Sequence, residues 1–297
     1  LGIKRNMGYF KSTWKYFFSK GMLYMLLMVV PSFLIPFILS PSSLFDILTH
    51  MRLDDPNGYM HLFLYLFGFD YRYIWVGIIG ILLSVFLTAI LFGAIDRHMR
   101  TGDFTLSIKR INVRMNYNIS TAFRFVLAMF FVYLVFEVLC LLFFILWATV
   151  AKTYTSFYIL CFFTLLIIGI LLTITVSIMI LWPPFMLHTG LTSGNAFRMS
   201  FAQIKGSITK IAMNIILLFL PFYVIMLLNS LFDWSFVIGY VLDALSVLLV
   251  YMFYIILMYT IFYDVTGLER MDQVKKKNIN IWKIKNKPIE KKNDDKE

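Results

Sequence analysis

Six long apolar runs constrain this chain more than any other feature of its sequence. They cover roughly 22–40, 73–95, 122–150, 156–182, 209–230 and 235–263. A helix rises about 1.5 Å per residue, so about 20 apolar residues cross a hydrocarbon core about 30 Å thick. No water reaches that core, so every backbone N–H and C=O must be satisfied within the protein, as a helix does. The expectation is an all-α polytopic bundle of six transmembrane helices. Composition agrees: 60% of the 297 residues are hydrophobic and 14% are charged, whereas a soluble domain carries roughly 25% charged residues to solvate its surface.

The charges decide orientation. The N-terminal segment holds Lys4, Arg5, Lys11, Lys15 and Lys20; the second connection holds Arg97, Arg100, Lys109, Arg110, Arg114 and Arg124. The fourth holds Arg198, Lys205 and Lys210, and Arg270 with nine lysines follows the sixth run. Of the 27 basic residues only Arg52, Arg72 and Lys152 fall on the other side, among Asp46, Asp54, Asp55, Asp70 and Asp233. Lys and Arg accumulate in cytoplasmic loops, so both termini are expected in the cytoplasm, and an odd number of spans would break the alternation. The net charge of +11 therefore belongs to membrane-flanking loops, and nucleic acid is not an expected partner. Frequent Lys, Asn, Ile and Phe with scarce Ala point to an AT-rich, Gram-positive genome and hence to a bacterial plasma membrane. The first apolar run is long and lacks a small-residue cleavage site, so it reads as a span and not as a signal peptide. Leu1 reads as a non-standard start codon translated literally, with Met7 the alternative start.

Three parts follow: a cytoplasmic amphipathic lead-in at 1–21, the six-span domain at 22–263 and a basic cytoplasmic tail at 264–297. Short outer connections at 150–156 and 230–235 group the spans as three hairpins, each led by an amphipathic stretch. Phe10, Trp14 and Phe17 share one helical face beside Lys11 and Lys15; Phe197, Phe201 and Ile204 repeat that spacing beside Arg198 and Lys205; Ile108, Ile111 and Met115 do so more loosely. Such faces suit a helix lying in the headgroup layer, with Trp14 and Lys15 as surface contacts and Gly21 and Gly206 supplying turns into the spans. Rigid packing against the ends of the spans is the alternative. Lys20-Gly21 precedes Pro36-Phe37 by the interval that separates Lys205-Gly206 from Pro221-Phe222, which reads either as a duplicated hairpin or as coincidence between apolar helices. The short apolar run at 59–69 reads as an interfacial helix or an extension of the second span. In the tail, Lys275, Lys276, Lys277 and Trp282 suit an anionic bilayer surface, each lysine contributing about 1 kcal/mol there.

Polar residues within the spans carry what chemistry the sequence offers. A carboxyl near mid-membrane costs a few kcal/mol and so faces a partner or a cavity. Glu137, midway along the third run, is the clearest instance, followed by Asp243 in the sixth; Asn214 and Asn229 lie near the ends of the fifth. No Lys or Arg matches the depth of Glu137, so its expected partners are hydroxyls such as Thr173, Thr175 or Ser177. Glu137, Asp243, Thr173 and Ser177 form the candidate intramembrane polar site, read either as a substrate or proton site or as hydrogen-bonded helix contacts. The four-residue spacings of Gly80, Ser84 and Thr88, and of Gly169, Thr173 and Ser177, put small residues on one helix face and predict close helix packing. Pro31, Pro36 and Pro221 predict kinks. Cys140 and Cys161, both within apolar runs, read as packing residues. The Asp96-Arg97-His98 cluster with Arg100 reads as a basic anchor, with phosphate binding as its functional alternative. The sequence has no Gly-rich phosphate loop, zinc-protease His-Glu pair or metal-binding cysteine pair. A non-enzyme without a cofactor is therefore expected.

Six spans, the lead-ins FKSTWKYFFSKG and AFRMSFAQIKG, and the cluster GAIDRHMRTGD after the second span resemble the six-helix membrane domains of low-GC bacteria. Among these the chain is similar to the membrane domain fused to glycerophosphodiester phosphodiesterases, over about residues 7–270. The catalytic barrel is absent, so the resemblance implies a fold and carries over no activity or site residue. Three functions stand: a non-enzymatic envelope protein organising lipids or partner proteins, a permease subunit of an exporter driven by a separate ATPase, and an intramembrane enzyme, for which no paired catalytic residues are found. Membrane lipids, anionic on the cytoplasmic face, are the expected partners of the first, and an ATPase subunit that of the second.

Overall fold

A computed structural model describes residues 8–50, 73–103, 108–231 and 236–272. Among these residues the chain is all helical, with no strand and with six helices long and apolar enough to cross a membrane. The expected α-helical six-span bundle is what the chain forms. The elements are α1 (Gly8–Phe37), α2 (Ser43–His50), α3 (Ile74–Thr101), α4 (Ile108–Val150), α5 (Tyr154–Met179), α6 (Trp182–Thr189), α7 (Ser193–Ile204), α8 (Ile208–Leu231) and α9 (Phe236–Thr266). The apolar run at 59–69, Asp54, Asp233 and the tail with Lys275, Lys276, Lys277 and Trp282 lie outside the described residues, as do the side chains of Ile108 and Ile111.

The centre of the bundle is α9. From Met252 to Tyr263 every residue is buried, so this stretch is apolar on all sides because helices surround it on all sides. Trp14 and Phe17 of α1 lean on its Phe253 with ring centroids 4.6 and 4.4 Å away, and Phe185 of α6 meets Phe262 at 5.4 Å. α4 and α5 are the least enclosed spans. At about 1.5 Å per residue, the 43 residues of α4 make a rod about 64 Å long, roughly twice the hydrocarbon thickness. The lead-in expected before the third span is thus the first part of α4 itself. A second, smaller core joins α2, α4 and α5: Ile47 is enclosed by Cys140, Leu141, Phe144, Phe157 and Cys161. Both cysteines are free and buried, in keeping with a packing role. The packing does not divide the spans into three pairs, since α3 lies along α4 as closely as along α1.

Two expectations about the first lead-in are corrected. Gly21 makes no turn: it is right-handed helical (φ −60°, ψ −36°) within a wide turn over Phe17–Gly21, so α1 runs on as one rod. Space explains the glycine, because a Cβ there would stand 2.9 Å from Ile256 Cδ1. Trp14 is turned toward α9 and not away from the bundle, while Lys15 beside it is exposed. The third lead-in does form a separate helix, α7, and Gly206 sits in the turn that follows it. The proline-rich first span is tolerated because a tighter 3₁₀ turn at Leu26–Met28 interrupts the ladder. Pro31 then falls in the first turn of the next segment, where its missing N–H is not required.

The two small-residue stripes differ. A Cβ on Gly80 would meet Leu34 Cβ at 2.6 Å, and Thr88 hydrogen-bonds the Tyr251 hydroxyl at 2.6 Å, so that stripe seats α3 against α1 and α9. Gly169 has open space around its Cβ position. Thr173 donates to the Gly169 carbonyl at 2.8 Å and Ser177 to the Thr173 carbonyl at 2.6 Å, so both hydroxyls are satisfied by their own helix.

Candidate functional site

Two polar clusters form, one at each end of the bundle. The basic end carries exposed Lys11, Lys15, Arg100, Arg198 and Lys205. There the Oδ1 of Asp96 accepts from His188 Nε2 and from the Tyr263 hydroxyl, both at 2.8 Å, joining α3, α6 and α9. The Tyr16 hydroxyl and His98 Nδ1 are hydrogen-bonded at 2.8 Å, tying α1 to α3. Tyr9 donates to Asp264 at 2.5 Å, and Arg270 grips Asp272 with two nitrogens and Ser12 with a third. Asn214 of α8 accepts the backbone N–H of Phe10 at 2.8 Å, filling one of the donors that the start of a helix leaves open. Asp96 and His98 are thus turned inward to neighbouring helices and do not converge with Arg97 and Arg100 on a common anion.

The opposite end is built differently. α1 ends at Phe37, the chain turns through Ser40, Pro41 and Ser42, and α2 begins at Ser43 with the Ser42 carbonyl accepting from Phe45 N and Asp46 N. This turn presents three serines to two buried carboxyls. Ser40 and Ser42 donate to Oδ2 of Asp243 on α9 at 2.5 and 2.8 Å, and Asn229 of α8 donates to its Oδ1 at 3.2 Å. Ser43 donates to Oε1 of Glu137 on α4 at 2.8 Å. Tyr240, three residues before Asp243, donates to the Phe33 carbonyl and so fixes α9 against α1 just above the turn.

Asp243 is 0% and Glu137 1% exposed. The Glu137 Oε2 has no partner at hydrogen-bonding geometry, although the Tyr133 hydroxyl stands beside the same carboxyl and near Asp243. Among the described residues, no Lys, Arg or His forms an ion pair with either carboxyl. An unpaired buried charge is costly, whereas two or three donors aimed at a carboxylate offset part of that cost.

Of the residues singled out from sequence, Glu137 and Asp243 come together through Ser40, Ser42 and Ser43. Thr173, Thr175 and Ser177 do not join them, since each bonds a carbonyl of α5. The three serines escaped notice because they lie between an apolar span and a short helix, where no periodicity marks them. The signal available was the compact SPSS run at 40–43 followed by Asp46. Tyr133 was also legible, four residues before Glu137 and so on its helix face.

No family model, curated protein or solved structure matches this chain.

Proposed function

We propose that the chain is a non-catalytic integral membrane protein of a bacterial plasma membrane, with both termini cytoplasmic, that organises anionic lipids or partner proteins at the inner leaflet. The observation that carries this reading is α7. Its Ala196, Ser200 and Ile204 face the bundle, and Trp182 and Ser200 tie it down through the Ser193 and Ile178 carbonyls. Phe197, Met199 and Phe201 stand 40%, 38% and 40% exposed beside exposed Arg198 and Lys205. Exposed aromatics and cations on a helix fixed at a membrane-flanking position suit a headgroup layer, the aromatics entering the acyl boundary and the cations meeting phosphate. Each cation contributes about 1 kcal/mol against anionic lipid. The test is the lipid carried through extraction into nanodiscs. Wild-type protein is expected to retain anionic lipid above its share in the membrane, and the variant with Phe197→Ala, Arg198→Gln, Phe201→Ala and Lys205→Gln to lose that excess. Equal lipid in both would overturn the reading.

The second reading, a permease subunit driven by a separate ATPase, draws support from the carboxyl cluster inside the bundle, since intramembrane acids mark substrate and ion paths. It requires an ATP-hydrolysing subunit whose turnover rises when this chain binds it.

A further inference from the structure

The contacts around Ser40 and Ser42 outnumber the protons available to make them. Four oxygens form four close pairs: Ser40–Asp243 at 2.5 Å, Ser42–Asp243 at 2.8 Å, Ser40–Ser42 at 3.1 Å and Ser42–Asp46 at 3.1 Å. Each serine hydroxyl brings one proton. With both carboxyls ionised, two of the four pairs are hydrogen bonds and two are contacts between lone pairs. One added proton changes the count. Placed on Asp243 Oδ2, it donates to Ser40, Ser40 donates to Ser42 and Ser42 donates to Asp46, which fills three pairs. Placed on Asp46, it donates to Ser42 while both serines donate to Asp243, which again fills three. The two arrangements are equal in hydrogen bonds and differ only in where the proton sits.

We propose that Asp243, Ser40, Ser42 and Asp46 form a proton-binding site with a built-in relay that connects the interior of the bundle to the face opposite the basic end. The transfer balances without a co-reactant. The Asp243 proton passes to Ser40 Oγ, the Ser40 proton to Ser42 Oγ and the Ser42 proton to Asp46 Oδ2. Asp243 is left a carboxylate, Asp46 becomes the acid, and both serines keep one proton. Asp243 is fully buried and Asp46 is partly exposed, so the relay runs from the interior to the surface.

A separate observation points the same way. Glu137 has a buried oxygen with no hydrogen-bond partner and is held by Ser43, the residue next to the relay. Such an oxygen is a place for a proton, and the absence of any ion-paired cation leaves the added proton as the charge that fits. The groups facing the site are Glu137 and Tyr133 from α4, Tyr223 and Asn229 from α8, Tyr240 from α9 and Asp46 from α2. No part of this depends on whether the protein organises lipids.

The test uses full-length protein in lipid nanodiscs and infrared difference spectra between acidic and alkaline buffer. Wild type is expected to show a carboxylic-acid carbonyl band that disappears as pH rises, that Asp243→Asn removes and that Asp243→Glu shifts. Ser42→Ala and Asp46→Asn should keep the band but slow its hydrogen–deuterium exchange several-fold. Ser42→Thr, which keeps the hydroxyl, should restore the wild-type rate, and Ser43→Ala should leave it unchanged. A band insensitive to Asp243→Glu, or none, overturns the site. Wild-type exchange in Asp46→Asn overturns the relay, and this partly exposed substitution decides alone if Ser42→Ala does not fold.

Discussion

At the basic end Asp96, Asp264 and Asp272 each meet a histidine, a tyrosine or an arginine, whereas Asp243 and Glu137 at the opposite end meet only serines, an amide and a tyrosine. The first set joins α1, α3, α6 and α9 near water, where a partly exposed ion pair contributes about 0–1 kcal/mol. The second set is enclosed, and burying a carboxyl among neutral donors stabilises nothing that an apolar residue of similar size would not. The basic end therefore works as a set of clasps, and the opposite end holds groups whose presence stability does not explain. Intramembrane acids of that kind mark function.

The largest expected effect is at Asp243. Asp243→Leu leaves Ser40, Ser42 and Asn229 without their acceptor, and buried donors stranded in this way should cost about 3 kcal/mol, read as unfolding by denaturant in mixed micelles. A loss below about 1 kcal/mol would show the serines satisfied elsewhere and erase the contrast between the ends. Next is Gly77, where a Cβ would stand 2.5 Å from Ile38 Cβ and 2.6 Å from its backbone nitrogen. Gly77→Ala should cost about 2 kcal/mol through overpacking and should loosen the turn at Ser40 while leaving the basic end intact. Gly169→Ala, with open space at its Cβ position, should not destabilise.

At the basic end Asp96→Asn keeps the shape but removes the charge facing His188. Its expected loss is about 1 kcal/mol, shrinking as salt is raised. A loss as large as that of Asp243→Leu would mean that the clasp is no ordinary ion pair. The smallest effect is at Glu137: Glu137→Gln still accepts from Ser43 and should cost less than about 1 kcal/mol. If the same change abolishes a cellular phenotype while leaving folding intact, Glu137 acts by ionising.

Much of this was legible before the coordinates. Six spans follow from run length alone, and Glu137 and Asp243 stood out because charge is scarce where they lie. Their partners were not legible. A helical hydroxyl at four-residue spacing identifies a face, but Thr173 and Ser177 reach the carbonyl one turn back and so need no other partner. The serines that do reach the acids belong to a turn and the start of an eight-residue helix, too short for periodicity to register. At Gly21 the sequence offered a flexible residue, and only the neighbouring Ile256 reveals that it serves close approach and not a bend.

The central claim is that the end bearing the charge-paired clasps and α7 faces the cytoplasm, while the serine–carboxyl end faces outward. Single cysteines at exposed Lys205, after α7, and exposed Lys152, between α4 and α5, test it in intact cells with a membrane-impermeant thiol reagent. The account predicts that Lys152→Cys is labelled at once and Lys205→Cys only after the membrane is opened. Labelling of Lys205→Cys in intact cells, with Lys152→Cys protected, would contradict it.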